Sequence, residues 1–65
     1  MNDKRKIRVN DVLYLKEFTI GDNDFDVNII LTNKENQAER YNVDNIPAML
    51  QILEILGFKN PIAII

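Results

Sequence analysis

The chain has 65 residues and a formal net charge of −2, and it contains neither cysteine nor histidine. Its length allows one domain, its acidic balance gives no general attraction to phosphate backbones, and the missing side chains exclude disulfides, thiolate metal sites and the commonest zinc ligand. Apolar burial alone barely holds a domain of this size, so we expect self-association or a bound partner to supply stability.

The first third of the chain predicts β-structure after a basic start. Residues 1–6 are predicted to form a flexible basic arm, and residues 7–9 a short strand. Residues 12–20 are rich in aromatic and β-branched side chains, which favours a second strand. A helix capped by Asn10 is the alternative for that stretch.

Two further strands follow, separated by polar turns. Residues 21–24 read Gly-Asp-Asn-Asp, which predicts a turn, and residues 25–32 alternate between apolar and polar side chains as a half-buried strand does. The two β-runs around this turn predict a hairpin. A shorter strand is predicted over residues 38–43. The side chains predicted to face the core are Phe18, Ile20, Phe25, Val27, Ile29, Leu31, Tyr41 and Val43.

A helix is predicted between Asp44 and Gly57. Asp44 or Asn45 is the predicted N-cap, Pro47 suits the first turn, and Gly57 suits the left-handed residue that ends a helix. The apolar residues that fall on one face at helical spacing are Ile46, Met49, Leu50, Leu53 and Leu56, and the first four are predicted to enter the core.

Together these elements predict one small α+β domain over residues 1–65. We expect a three- to four-stranded antiparallel meander with one C-terminal α-helix packed across it and a short apolar tail strand, in the order β-β-β-α-β. The tail is formed by residues 62–65, and it either adds to a sheet edge or covers the helix.

The apolar side chains exceed what one such helix and sheet can hide. A second side of the helix is apolar, and in the predicted register some strand residues point away from the helix. A helix that is apolar nearly all round must be covered by something. The tail is one candidate cover and a partner protein is the other. The predicted partner-binding residues are Leu13, Leu15, Ile30, Ala48, Ile52 and Ile55.

Catalysis is poorly supported, because serine is absent along with cysteine and histidine. We assign no catalytic, cofactor-binding or metal residue. Asp22, Asp24 and Asp26 form a predicted acidic patch that resembles the start of a calcium loop. The sixth and twelfth positions of that loop hold Val27 and Asn33 instead of glycine and an acid, so a solvated turn is preferred.

The sequence therefore predicts a small non-enzymatic protein–protein interaction module that acts as a homodimer, binds a larger partner, or does both. Abundant Ile, Asn and Lys are residues that AT-rich codons favour, which suggests an AT-rich bacterium, phage or plasmid as the source. Small size and this composition together suggest an inhibitor or adaptor encoded by a phage or mobile element. No signal peptide is visible and the longest apolar run is too short to span a bilayer, so the expected location is cytoplasmic, without a membrane partner.

The alternative function is a nucleic-acid-binding accessory protein. Its phosphate contacts would come mainly from the basic N-terminal segment. It is less favoured because the domain as a whole is acidic. An enzyme is the third and least supported class. The predicted phosphate-binding residues are Lys4, Arg5, Lys6, Arg8 and Arg40.

Overall fold

The fold is one antiparallel sheet with one α-helix. The computed structural model describes residues 3–21 and 26–64. The elements are β1 (Lys4–Val9), β2 (Leu13–Ile20), β3 (Val27–Thr32), a 3₁₀ turn (Glu35–Gln37), β4 (Tyr41–Asn42), α1 (Ile46–Ile55) and β5 (Ile62–Ile64). The predicted α+β class, with an antiparallel meander, a C-terminal helix and a tail strand, is confirmed. No helix within these ranges is long and apolar enough to cross a membrane.

Strand β1 is the centre of the sheet. The strand order is β3-β2-β1-β4, and β5 also pairs with β1. Arg8 lies opposite Tyr14 of β2 and opposite Ile62 of β5, so β1 has a neighbour on both edges there. β4 pairs with the first two residues of β1. The prediction of a flexible arm is therefore wrong for residues 4–6, which form half of the strand that pairs with β2, β4 and β5.

The alternation of β1 explains that error. Lys4, Lys6 and Arg8 share one side of the strand, while Ile7 and Val9 lie on the other side and are fully buried. We call the side of the sheet covered by α1 the helix side and the opposite one the far side. A central strand with basic residues on its far side resembles a charged arm in composition.

A β-bulge in β2 changes which residues reach the core. Leu15 pairs with Leu31 and Glu17 pairs with Ile30, so Lys16 is an extra residue. Leu15, before the bulge, and Phe18, after it, therefore both face the helix side although they are three residues apart. Leu15 is fully buried, and Leu13 packs against the core. The prediction that both leucines point away from the helix is wrong, because it counted backwards from Phe18 without the bulge.

The core joins β1, β2 and α1. Its buried members are Ile7, Val9, Leu15, Ile46, Met49 and Leu53. Five of the residues predicted to face the core pack against it, namely Phe18, Ile29, Leu31, Tyr41 and Val43. Ile20 is 56% exposed, so its predicted burial is wrong, and Val27 is half-buried. Phe25 lies outside the described residues.

The N-terminus of α1 lacks the predicted side-chain cap. The N-cap residue Asn45 has helical dihedrals (φ −95°, ψ −15°), and its side chain makes no capping hydrogen bond. A capping side chain normally requires an extended backbone at this position. Here the preceding turn uses the backbone instead: Asn45 N–H donates to Asn42 C=O at 2.9 Å, and Ile46 N–H to Val43 C=O at 3.3 Å.

The C-terminus of α1 ends as predicted. Gly57 has φ +99°, its N–H donates to Glu54 C=O at 3.0 Å, and Phe58 N–H donates to Leu53 C=O at 3.0 Å. This pair of bonds is the Schellman motif. Phe58 packs against the core that contains Leu53, so the turn also adds apolar contact.

A clasp joins the β1–β2 turn to the segment before β5. Asn10 and Asp11 have positive φ values of 54° and 67°. Asn10 N–H donates to Lys59 C=O at 2.7 Å, and Lys59 N–H donates to Asn10 Oδ1 at 2.8 Å. Asn60 Nδ2 lies 3.5 Å from Asp11 Oδ1. The clasp places residues 62–64 next to β1 rather than on the helix.

We expect Gly57→Ala to lower the free energy of unfolding by about 1–2 kcal/mol, because an alanine at positive φ is strained. A β-carbon at Gly57 would meet no atom within 4 Å, so the backbone conformation alone causes the loss. Urea denaturation measures it. Gly57→Asn is the matched control and should lose less, since asparagine tolerates this conformation. An alanine variant as stable as the wild type would contradict the assignment.

Candidate protein-interaction site

An open apolar groove of about 440 Å³ lies between α1 and the second half of β2. Phe18 and Ile20 form the strand side, while Ala48 and Ile52 belong to the helix side. Asp44 and Asn45, in the turn before α1, contribute polar groups to the lining. The complete lining is Phe18, Ile20, Tyr41, Asp44, Asn45, Ala48, Met49 and Ile52.

The groove continues into an exposed stripe on the helix. Ala48, Ile52 and Ile55 are spaced four and three residues apart, so they lie on one face of α1. Ala48 is exposed, Ile52 is half-buried and Ile55 is 75% exposed. We call the groove and these three residues together the apolar stripe. Strand β5 pairs with β1, so residues 62–64 leave this stripe uncovered.

The structure brings together only half of the predicted partner-binding residues. Ala48, Ile52 and Ile55 lie in the apolar stripe. Ile30 is 46% exposed, but it lies on the far side of the sheet, opposite Glu17. The two leucines of β2 belong to the interior, as described above. Ile30 must therefore be considered separately from the stripe.

Sequence reasoning missed Ile20 as a groove residue. It was predicted to be buried because it shares the side of Phe18. That orientation is correct, since Phe18 pairs with Ile29 and Ile20 pairs with Val27 on the helix side. The helix does not extend far enough over β2 to cover it. Helix placement depends on tertiary packing, and no local signal in the sequence revealed it.

Most of the basic residues of the nucleic-acid alternative lie on or beside the central strand β1. Lys4, Lys6 and Arg8 share the far side of β1, and Arg40 directly precedes β4, which pairs with β1. Arg5 belongs to the helix side of β1, and its Nη2 lies 3.7 Å from Asp3 Oδ2.

Lys6 and Arg8 differ in whether a negative charge lies beside them. Lys6 Nζ donates to Glu35 C=O at 3.0 Å and lies 4.0 Å from Glu35 Oε2, so its charge is compensated. Arg8 forms no ion pair within residues 3–21 and 26–64, and its Nε is buried with no hydrogen-bond partner there. Arg8 lies opposite Tyr14.

The acidic patch is only partly described. Asp26 precedes β3, and its C=O accepts a hydrogen bond of 2.6 Å from Gly21 N–H. Asp22 and Asp24 lie outside the described residues. Among the residues that the structure does describe, no group of three or more acidic side chains is arranged to hold a metal ion.

A second, more polar depression of about 450 Å³ surrounds Tyr41. Burial raises the pKa of Tyr41 from 10.0 to about 12, and the negative charges of Glu39 and Glu17 add to the shift. The hydroxyl is buried and has no hydrogen-bond partner in the described part of the chain. This phenol therefore stays protonated at neutral pH and is not an activated nucleophile.

Comparison with known proteins gives no relative. No protein-family model, curated protein or solved structure matches this chain. The function must be inferred from the residues themselves.

We expect Tyr41→Phe to leave the free energy of unfolding unchanged at neutral pH or raise it by up to about 1 kcal/mol, because it removes a buried hydroxyl without a partner. The wild type should lose stability relative to this variant as pH rises from 10.0 towards 12. In that range the folded state retains the phenolic proton that the unfolded state has lost.

Denaturation at several alkaline pH values, comparing wild type with Tyr41→Phe, measures this difference. All other side chains are the same in both proteins, so their contributions cancel in the difference. A stability difference that stays constant over this range would contradict the assigned pKa.

Proposed function

We propose that this protein is a small non-enzymatic interaction module that acts as a homodimer and binds a larger protein through the apolar stripe. The main support is Ile55, which is 75% exposed at the end of a stripe that residues 62–64 leave uncovered. Contiguous exposed apolar surface on a small protein marks an interaction site more often than isolated apolar side chains do.

The exposed apolar side chains of the stripe and the open groove beside them suit a site that anchors a partner. Burying a large apolar side chain contributes about 1.5–3 kcal/mol, and both Ile52 and Ile55 retain surface that a partner can cover. The groove beside them is open and mainly apolar, so it can accept a protruding aliphatic or aromatic side chain.

The polar end of the groove suggests the chemistry of the partner. Among the described residues that line the groove, Asp44 is the one that carries a charge, and it lies next to Asn45. A partner segment with apolar side chains followed by a lysine or arginine would therefore complement the site. Such a segment would be occluded once bound, which is how a small inhibitor or adaptor acts on a larger protein.

Other parts of the proposal rest on the composition. The absence of cysteine, histidine and serine leaves no common nucleophile, which supports a role by binding rather than catalysis. The abundance of Ile, Asn and Lys supports an origin in a phage or mobile element. A cytoplasmic location completes the proposal.

Affinity capture from cells that naturally encode the chain tests the stripe. We expect the wild type to recover a stoichiometric protein and Ile55→Lys to lose at least nine-tenths of it, roughly the effect of removing one buried anchor. A lysine is compatible with the C-terminal turn of a helix, so folding should be preserved.

Val12→Lys is the matched control, because Val12 is 67% exposed in the β1–β2 turn, away from the stripe. It should recover the same partner as the wild type. A partner retained by Ile55→Lys, or no stoichiometric partner with the wild type, would contradict the proposed docking surface.

As a second candidate function we propose single-stranded nucleic-acid binding on the far side of the sheet. It is favoured by Arg8, a cation without an ion pair in the described ranges that lies opposite the aromatic ring of Tyr14. Single-strand-binding proteins combine positive side chains that bind phosphate groups with aromatic rings that stack on the bases.

Fluorescence anisotropy with a short single-stranded oligonucleotide at low salt tests this candidate. We expect Arg8→Gln to weaken binding by about tenfold, since one phosphate contact is lost. Lys59→Gln is the control and should bind as the wild type does, because Lys59 lies in the turn before β5. Absence of binding by the wild type, or equal loss in both variants, would exclude this function.

A further inference from the structure

The outer edge of β3 has no strand paired with it within residues 3–21 and 26–64. β3 has six residues and lies at the end of the strand order, so β2 is its only hydrogen-bonded neighbour among the residues that the structure describes. Gly21 N–H donates to Asp26 C=O. Successive residues direct their backbone groups to opposite edges, so the N–H and C=O groups of Val27, Ile29 and Leu31 face outward.

This edge lacks the devices that usually prevent pairing with another chain. Natural edge strands are short, or they carry charged side chains, proline or a bulge. β3 contains no charged residue or proline between Val27 and Thr32, and the bulge lies in β2. By contrast, β5 and β4 have three and two residues.

We propose that β3 pairs antiparallel with β3 of a second copy, across a two-fold axis at Ile30, so that the two sheets become one continuous sheet. The proposal identifies the self-association surface and rests on the homodimer in the proposed function. A two-fold axis perpendicular to a sheet keeps each side chain on its own side, so both helices lie on the same side of the joined sheet.

The sequence of β3 is self-complementary about Ile30. On the helix side, Ile29 lies opposite Leu31 of the second copy. On the far side, Asn28 lies opposite Thr32 of the second copy, and Ile30 lies opposite Ile30 of the second copy. Apolar residues thus meet apolar ones and polar residues meet polar ones, which is the pairing that stabilises antiparallel strands. An axis at Ile29 would instead set Asn28 against Ile30.

Charge complementarity favours the same register. Asp26 comes directly before β3 and Lys34 shortly after it, and both side chains are exposed. Asn33 forms a bend and Lys34 N–H donates to Thr32 Oγ1 at 3.1 Å, so Lys34 lies in the turn that follows β3. With the axis at Ile30, the Asp26 end of each β3 lies beside the Lys34 end of the second copy, and symmetry brings these opposite charges together twice. Neither residue has an ion pair within the described residues.

The dimer leaves the apolar stripe accessible. The stripe lies on α1 and the second half of β2, on the helix side, while the dimer forms through the backbone edge of β3. Each dimer therefore presents two identical grooves on one side of one sheet. A symmetric adaptor or inhibitor of this form would bind two copies of its partner, or one partner at two equivalent segments.

Sedimentation of the purified full chain over a concentration series tests the dimer. We expect Ile30→Lys to raise the dimer Kd by at least about tenfold, because it sets two positive charges against each other at the axis. Val12→Lys makes the same change at an exposed site outside β3 and should leave the Kd unchanged. Circular dichroism verifies that both variants remain folded.

A charge exchange tests the register. Asp26→Lys should raise the Kd several-fold, since it brings two lysines together at each end of the paired strands. Adding Lys34→Asp in the same chain should restore the wild-type Kd, because the pair is then reversed but complementary. A double variant no tighter than Asp26→Lys would overturn the register about Ile30.

Two results would overturn the proposal in distinguishable ways. A wild type that stays monomeric at the highest concentration would remove the homodimer together with the β3 interface. A dimer that is dissociated by Ile55→Lys and not by Ile30→Lys would keep the homodimer and assign it to the apolar stripe. Capture of a larger partner is measured separately, by affinity capture.

Discussion

Strand β1 is the constraint on which the rest of this structure depends. It pairs with β2, β4 and β5, and its Ile7 and Val9 are completely buried beneath the helix. Three separate parts of the chain are thereby held by one strand. Because its other side carries Lys4, Lys6 and Arg8, the same strand that forms the core also fixes the basic residues in a row. Stability and surface charge are therefore set by alternate residues of one element.

The position of the helix on the sheet follows from that arrangement. α1 packs over β1 and β2, where the largest buried side chains lie, and this position leaves the second half of β2 and all of β3 only partly covered. The apolar stripe follows from this position, because a ten-residue helix is too short to cover a five-stranded sheet. The chain has apolar surface remaining in two places, which suits a protein that binds both a copy of itself and something larger.

The elements of the fold could be predicted from the sequence wherever the signal was local. Gly57 ended the helix, the polar clusters marked turns, and the alternation of β3 was correct. Pairing between distant residues gave no such signal. The role of residues 4–6 was missed because their strand pairing depends on β4 and β5. The orientation of Leu15 was missed because a bulge at Lys16 has no distinctive sequence. For the site, Ile52 and Ile55 were predicted from helical spacing, whereas Ile20 required knowledge of where the helix lies.

The pairing of β1 with β5 also determines how this small domain must fold. Lys6 lies opposite Ile64, so almost the whole described chain lies between two adjacent strands. Pairing β1 with β5 closes a loop that contains nearly all of the described residues, whereas the β2–β3 hairpin joins strands that are neighbours in the sequence. The hairpin can form early, but the sheet is completed last by its most distant residues. Folding is therefore expected to be slow for a domain of this size, with the Asn10–Lys59 clasp forming only as the final strand docks.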